Sequence, residues 1–270
     1  AVGNSGLNVP LIIRYPDKRM AGKVDNRIGS LMDLGPTVLS LLNIKPPNHY
    51  DGKAFAGKFE EEPRKYAFGS ADRFDEAVDM QRSVIDGRYV YIKNFRPELP
   101  LIYRNKYREQ IPMNAKLIEM DRNNELTGDA SYIFMKSKPV EELYDLKSDP
   151  YEVKNLANEP NQKDRISKFR KLLANWQLEI SDKGFIPEQE LVQMFWPEMI
   201  QPITSEVDFI TTINKKLKLS CNTDGASIGY QKGDKIGSKQ WELYSEPIKV
   251  SNEKIVARAI RIGYKASKIK

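Results

Sequence analysis

Cysteine and histidine are almost missing from this chain: Cys221 and His49 are single occurrences in 270 residues. One thiol cannot form an intramolecular disulfide or a cysteine-based zinc site, and it leaves the redox compartment open. One histidine, in the Pro-rich loop from Asn43 to Gly57, reads as a solvated side chain rather than a catalytic base. Long apolar runs are missing as well. No stretch approaches the roughly 18 residues a bilayer-spanning helix needs, so no transmembrane segment is expected. The start at Ala1-Val2-Gly3-Asn4 carries neither initiator Met nor signal peptide and reads like a cut or processed end.

What is present suffices for real cores, with 40% apolar and 10% aromatic residues in a length that holds one large domain or two ordinary ones. Charge is uneven. Residues 214–270 hold 13 Lys and Arg against 5 Asp and Glu, a local net of +8, which leaves −2 for residues 1–213. Such a basic module could face nucleic acid, anionic lipid or a sulfated polysaccharide; the plainer reading is a mixed-sign solvated surface.

Val9-Pro10-Leu11-Ile12-Ile13 is apolar without alternation, as in a strand covered on both faces of a parallel sheet. A helix is expected from about Asp33, with Pro36 in its first turn and Leu34, Val38, Leu41 and Leu42 as its apolar stripe. No further helix-alternated buried strands follow, so the sheet this βα remnant belongs to is not encoded in these residues. From Tyr66 the pattern changes to strands: Tyr66-Ala67-Phe68, Arg82 to Ile85, the turn Asp86-Gly87, and Arg88 to Ile92, with Asp-Gly as a hairpin signal. A helix over Asn114 to Asn123 and a turn at Gly128-Asp129 are expected next. Leu143-Tyr144 can complete an antiparallel sheet. Ser148-Asp149-Pro150 then reads as a helix start, with Asp149 as cap, Pro150 at the first position and Glu152 closing a capping box. Ile166, Phe169, Leu173, Trp176 and Ile180 form one helical face, with Gly184 as terminator. Residues 196–205 read as a Pro-containing linker. Beyond it, Lys216 to Cys221, Ala226 to Tyr230 and Ile255 to Tyr264 alternate as the short strands of a small β-sandwich.

The candidate binding residues lie between the first two strands. Asp72, Arg73, Asp75 and Glu76 place carboxylates around an arginine, whose planar fork suits sulfate while carboxylates accept from hydroxyls. An ordinary solvated acidic loop has the same composition.

Several strings carry a family resemblance in order along the chain. Gly6 to Pro16, Met32 to Leu39, and Glu141-Glu142-Leu143-Tyr144-Asp145-Leu146 followed by Asp149-Pro150-Tyr151-Glu152 and Asn155-Leu156 resemble the sulfatase family. Phe68-Gly69-Ser70, Asp79 to Val84, Asn94-Phe95 and Asn175 to Glu179 are similar to its branch containing N-sulfoglucosamine sulfohydrolase and bacterial relatives. Thr223 to Tyr230 and Ala259 to Tyr264 resemble the fibronectin-like C-terminal module of bacterial chitobiases. The resemblance implies an α+β chain: the end of an alkaline-phosphatase-like catalytic domain (residues 1–60), a C-terminal subdomain with an antiparallel sheet packed by a long helix (61–200), and a β-sandwich module (206–270). It implies a parent that hydrolyses sulfate esters or N-sulfate groups on a glycosaminoglycan or other polysaccharide, in the periplasm or outside the cell. Calcium and a formylglycine nucleophile are implied for that parent and not from this chain, since Cys221-Asn222-Thr223-Asp224 is not the modification motif. The N-terminal half of the sulfatase and a sulfated glycan are the implied partners, with no nucleic acid. Asp72, Arg73, Asp75 and Glu76, and also Arg82, become expected substrate contacts, and the isolated chain is expected to be inactive. The alternatives are a non-catalytic carbohydrate-binding or scaffold protein and a phosphoesterase of the alkaline phosphatase superfamily.

Overall fold

Alternating apolar residues need two faces to cover, and the chain supplies those covers locally. The computed structural model describes residues 2–74, 77–102, 104–212, 216–249 and 252–270. It divides into two units, Ala1–Gly184 and Phe185–Lys270, each with its own core. Among the described residues no helix is long and apolar enough to cross a membrane.

The first unit opens with the short helix α1 (Asn4–Leu7) and then α2 (Leu34–Leu41). Val9 to Ile13 is not a strand. It runs unpaired, with Ile12 93% exposed, because no neighbouring strand is offered for its amides. Helix α2 forms as expected, entered through a capping box at Ser30 and Asp33. Its burial is inverted, however: Pro36, Thr37 and Ser40 are buried, whereas Val38 and Leu42 of the apolar stripe face solvent. The buried polar side accounts for itself, since Thr37 Oγ1 accepts from Phe55 N at 3.0 Å and Ser40 Oγ from Phe59 N at 2.8 Å.

Four strands, β1 (Ala67–Phe74), β2 (Ala77–Ile85), β3 (Tyr89–Asn94) and β4 (Glu141–Asp145), make one antiparallel sheet in that order. The β2–β3 turn is the expected Asp86-Gly87, where Gly87 has φ +90° and Asp86 Oδ1 accepts from the amides of Arg88 and Tyr89. Between β3 and β4 lie α3 (Lys106–Glu109) and α4 (Pro112–Arg122), the latter close to the expected helix. Helix α5 (Lys163–Glu179) covers one sheet face: Ile166, Phe169 and Leu173 pack on Val84, Tyr89, Tyr91 and Leu143, and Trp176 stacks on Phe68 at 4.9 Å. The other face holds Val90, Ile92 and Tyr144 with Val2.

The segment after β4 corrects the helix start expected at Asp149. Asp149 does accept from the amides of Val153 and Lys154, but Glu152 takes φ +58° and its carboxylate accepts from Asn4 N at 2.8 Å instead of closing a capping box. Asn155 then clips the chain to the edge of β4, accepting from Leu143 N and donating to Glu141 O. The long helix therefore waits until Lys163. It also stops before Gly184, since Ser181 (φ +51°) makes the left-handed turn and Ile180 is exposed.

The second unit begins with α6 (Glu188–Phe195). Residues 196–205 are not a free linker: Trp196 Nε1 donates to Gly263 O at 3.1 Å, and Thr204 N donates to Lys265 O at 2.9 Å. Strands β5 (Val207–Thr211), β6 (Lys216–Cys221), β7 (Ser227–Lys232), β8 (Glu242–Leu243), β9 (Ile248–Lys249) and β10 (Ile255–Ile260) form two three-stranded antiparallel sheets, β5-β6-β9 and β10-β7-β8. Val207 and Leu219 from one sheet and Ile228, Ala257 and Ala259 from the other share a single core.

Candidate substrate-facing site

The β1–β2 hairpin is regular until Ala71 pairs with Gln81; the next pair is Arg73 with Val78, so Asp72 alone opposes Asp79 and Met80. A bulge of this kind re-aims a side chain at the end of a ladder. Asp72 is turned toward Arg82, which follows Val84 down the α5-covered face of β2, past the end of the helix.

Arg82 is 1% exposed, and each of its five N–H groups is used. Nη1 donates to Asp72 Oδ1 at 2.6 Å and to Gln81 O at 2.8 Å; Nη2 donates to Asp72 Oδ2 at 3.2 Å and Asp182 Oδ1 at 2.7 Å; Nε donates to Asp182 Oδ2 at 2.8 Å. Asp182 also accepts from Gln177 Nε2 and Gly184 N. Hydrogen bonding to Arg82 holds the Asp182 carboxyl far below the usual carboxylate range, against the opposing effect of burial. For Arg82 itself burial opposes the charge, but the two carboxylates outweigh it and raise its pKa. Gly184 lies so close that a Cβ there would collide with Arg82 Nη2 and Asp72 Oδ1.

The same stretch of β2 is braced by further buried contacts. Lys138, with a wholly buried side chain, donates to Asp79 Oδ2 at 2.7 Å and Pro100 O at 3.3 Å. Gln81 donates to Asn94, and Asn94 donates to the buried carboxylate of Glu142, which also accepts from Tyr132 and Tyr144. Burial, then Glu142, pushes the Tyr132 hydroxyl up to about 12, and the same two causes raise Tyr144.

Of the expected contacts, the structure thus brings Asp72 and Arg82 together, while Arg73 is exposed and stands opposite Val78 in the ladder. Asp75 and Glu76 lie outside the described residues. The Asp72 side chain is half exposed while both its oxygens engage Arg82, so its outward lone pairs remain available to a hydroxyl donor. Asp182, Gln177 and Lys138 were not singled out in the sequence. Asp182 stands 100 positions from Arg82 and carries no local signal. The arrangement is a hydrogen-bonded cluster of one arginine and two carboxylates rather than a nucleophile beside a base. Among the described residues no group of three or more His, Cys, Asp or Glu is placed to hold a metal ion. Cys221 Sγ donates to Ser205 O at 3.3 Å.

No family model matches the chain. An ulvan-active sulfatase from Formosa agariphila is 40% identical over 272 residues, covering 98% of this chain and 45% of that protein. A second ulvan-active sulfatase from the same organism is 29% identical, covering 65% of this chain and 34% of its own length. N-sulphoglucosamine sulphohydrolase of Homo sapiens is 25% identical over 217 residues, covering 75% of this chain and 43% of that protein. The chain spans less than half the length of each of these relatives.

Proposed function

We propose that this chain, which is homologous to the C-terminal part of sulfatases, is the substrate-facing and scaffolding portion of an enzyme that hydrolyses sulfate esters or N-sulfate groups on a glycan. The observation that carries this reading is the 40% identity along 98% of the chain to a sulfatase named for ulvan. The same reading makes residues 1–60 the end of the catalytic α/β domain, 61–200 its C-terminal subdomain and 206–270 a fibronectin-like β-sandwich. In support of the first of these, Val9, Leu11, Ile12, Val38 and Leu42 leave apolar surface exposed where a catalytic sheet would cover it. The N-terminal half of the sulfatase is the partner that fits it.

Calcium and formylglycine do not fit the residues present here, neither the described acidic groups nor Cys221 in its sequence context. Both belong in this reading to the N-terminal half, and no step is assigned to them. Asp72, Arg73, Asp75 and Glu76 are the glycan contacts in this reading. Arg82 acts through Asp72, since direct contact would require it to release a carboxylate. A periplasmic or extracellular location accompanies the substrate.

The test joins the chain to the N-terminal part of the Formosa agariphila ulvan-active sulfatase. The isolated chain is expected to leave 4-nitrophenyl sulfate intact and the chimera to cleave it, with Asp72→Asn raising KM for a sulfated oligosaccharide more than it lowers kcat. Turnover by the isolated chain, or a folded chimera without activity, overturns the reading.

A further inference from the structure

In the first unit Arg27, Arg64, Arg82, Arg88 and Arg170 each pair with a carboxylate, while Arg165 Cζ lies 3.6 Å from the Tyr89 ring centroid. Both arginines of the unit Phe185–Lys270 lie over aromatic rings, Arg258 Cζ 4.5 Å from the Trp241 centroid and Arg261 Cζ 4.9 Å from that of Tyr264. Among the described residues neither meets a carboxylate at ion-pair distance. A guanidinium stacked on a ring is held in one plane while its edge remains available for a bidentate acceptor.

The Trp241 seat is built from below. Ala257 and Ala259 of β10 and Ile228 and Tyr230 of β7 point into the core, so Arg258, Ile260 and Gly229 lie on the opposite face of that sheet. Gly229 stands directly opposite Arg258, and a Cβ there would come within 3.3 Å of the Trp241 ring, so the missing side chain lets the indole lie close to the sheet. The loop leading to Trp241 is pinned by the buried Gln231, which donates to Ser238 O at 2.8 Å and Gln240 O at 2.7 Å and accepts from Gly237 N at 3.0 Å. Beside this fixed pair, Leu243 and Ile260 expose apolar surface, at 71% and 51%. A planar cation, a rigid ring and flanking apolar side chains suit an acidic group attached to a sugar ring, whose C–H faces need an apolar floor. The net +8 of residues 214–270 complements a polyanion.

We propose that the outer face of the β10-β7-β8 sheet, centred on Trp241 and Arg258, is a binding site for a sulfated polysaccharide, separate from the hairpin that carries Asp72. The choice of a sulfated glycan rests on the sulfatase reading; the site itself rests on the geometry. Arg258 offers its fork to a sulfate group and Trp241, Leu243 and Ile260 carry the ring beside it.

The test is affinity electrophoresis of the 270-residue chain through gels containing dextran sulfate, neutral dextran or inorganic polyphosphate. Dextran sulfate is expected to retard the chain, neutral dextran not, and polyphosphate distinctly less. Trp241→Ala and Arg258→Lys should each weaken dextran sulfate binding roughly tenfold, the second because an ammonium keeps the charge but loses the fork. Lys239→Ala, an exposed cation of the same unit, should change it less than about twofold. Circular dichroism checks each variant; if Trp241→Ala fails to fold, Arg258→Lys decides. Equal retardation by polyphosphate, or Arg258→Lys binding like the parent chain, overturns the proposal. Since no turnover is read, failure here and failure of the sulfatase reading are separate results.

Discussion

Replacing Asp182 by Ala tests whether the Arg82 cluster holds the hairpin to the end of α5. Arg82 is 1% exposed, and Asp182 takes two of its five N–H bonds. Removing one partner of a buried ion pair costs about 3–5 kcal/mol, because the other charge remains desolvated. Asp72 still holds the opposite edge of the guanidinium, so the expected loss lies near the lower end, about 3 kcal/mol, a large share of the ~5–15 kcal/mol that a domain has. Urea unfolding in a Trp196→Phe/Trp241→Phe background reads it from Trp176, which is stacked on Phe68 in the same core. Arg82→Met/Asp182→Ala should lose at least ~1 kcal/mol less than the sum of its single changes. The pH dependence has a definite sign. The folded pKa of Asp182 is depressed, so its contribution is complete above the ordinary carboxylate value of roughly 4 and fades as pH falls toward the folded value. The gap between parent and variant should therefore narrow below about pH 4. A loss under ~1 kcal/mol at pH 7, or one unchanged between roughly pH 3 and 7, refutes the reasoning.

Gly184→Ala places a Cβ against the Arg82 guanidinium and Asp72 and should cost about 1–3 kcal/mol, read as a lower thermal midpoint. Ile12→Asp, at a 93% exposed position, should shift the isolated chain by no more than about 0.5 kcal/mol; a larger loss would mean that the segment is covered. Glu152 runs opposite to Asp182: burial first, and the nearby carboxylates Glu142 and Asp149, raise its pKa, while Asn4 N opposes them. A raised acid pKa means the folded state holds the proton longer, so stability falls as pH rises from the ordinary glutamate value of about 4.3 through the folded one. Glu152→Gln should remove that falling limb, measured as a flatter urea midpoint between roughly pH 4 and 7.

The strands of the first sheet were legible because each carries its own evidence: Asp86-Gly87 dictates the hairpin turn, and the α5 face repeats at helical spacing from Ile166 to Trp176. The failures share a cause. Val9 to Ile13 has the composition of a buried strand but no partner strand to accept its amides, and the stripe of α2 points away from the side on which Thr37 and Ser40 satisfy loop backbone. Composition reports what a segment would prefer to touch, not whether that surface is supplied. Glu152 shows the same limit at short range, since its spacing from Asp149 fits a capping box while its carboxylate is claimed by Asn4, 148 positions away. At the candidate site the sequence marked Asp72 and Arg82 separately. Their pairing, and the role of Asp182, depend on α5 ending where β2 passes beneath it.

What an arginine does in this chain is decided by who holds its fork. Arg82 and Arg258 have the same side chain and both lie on strands, yet one is enclosed by two carboxylates and a carbonyl while the other rests on a ring with its edge uncommitted. An incoming sulfate would have to displace a buried carboxylate to reach Arg82, leaving Asp182 desolvated and unpaired, a penalty of several kcal/mol that one exposed contact does not return. At Arg258 the same sulfate displaces only water. The buried arginine is therefore a positioning group, which holds the half-exposed Asp72 carboxylate in place where a hydroxyl donor can reach it.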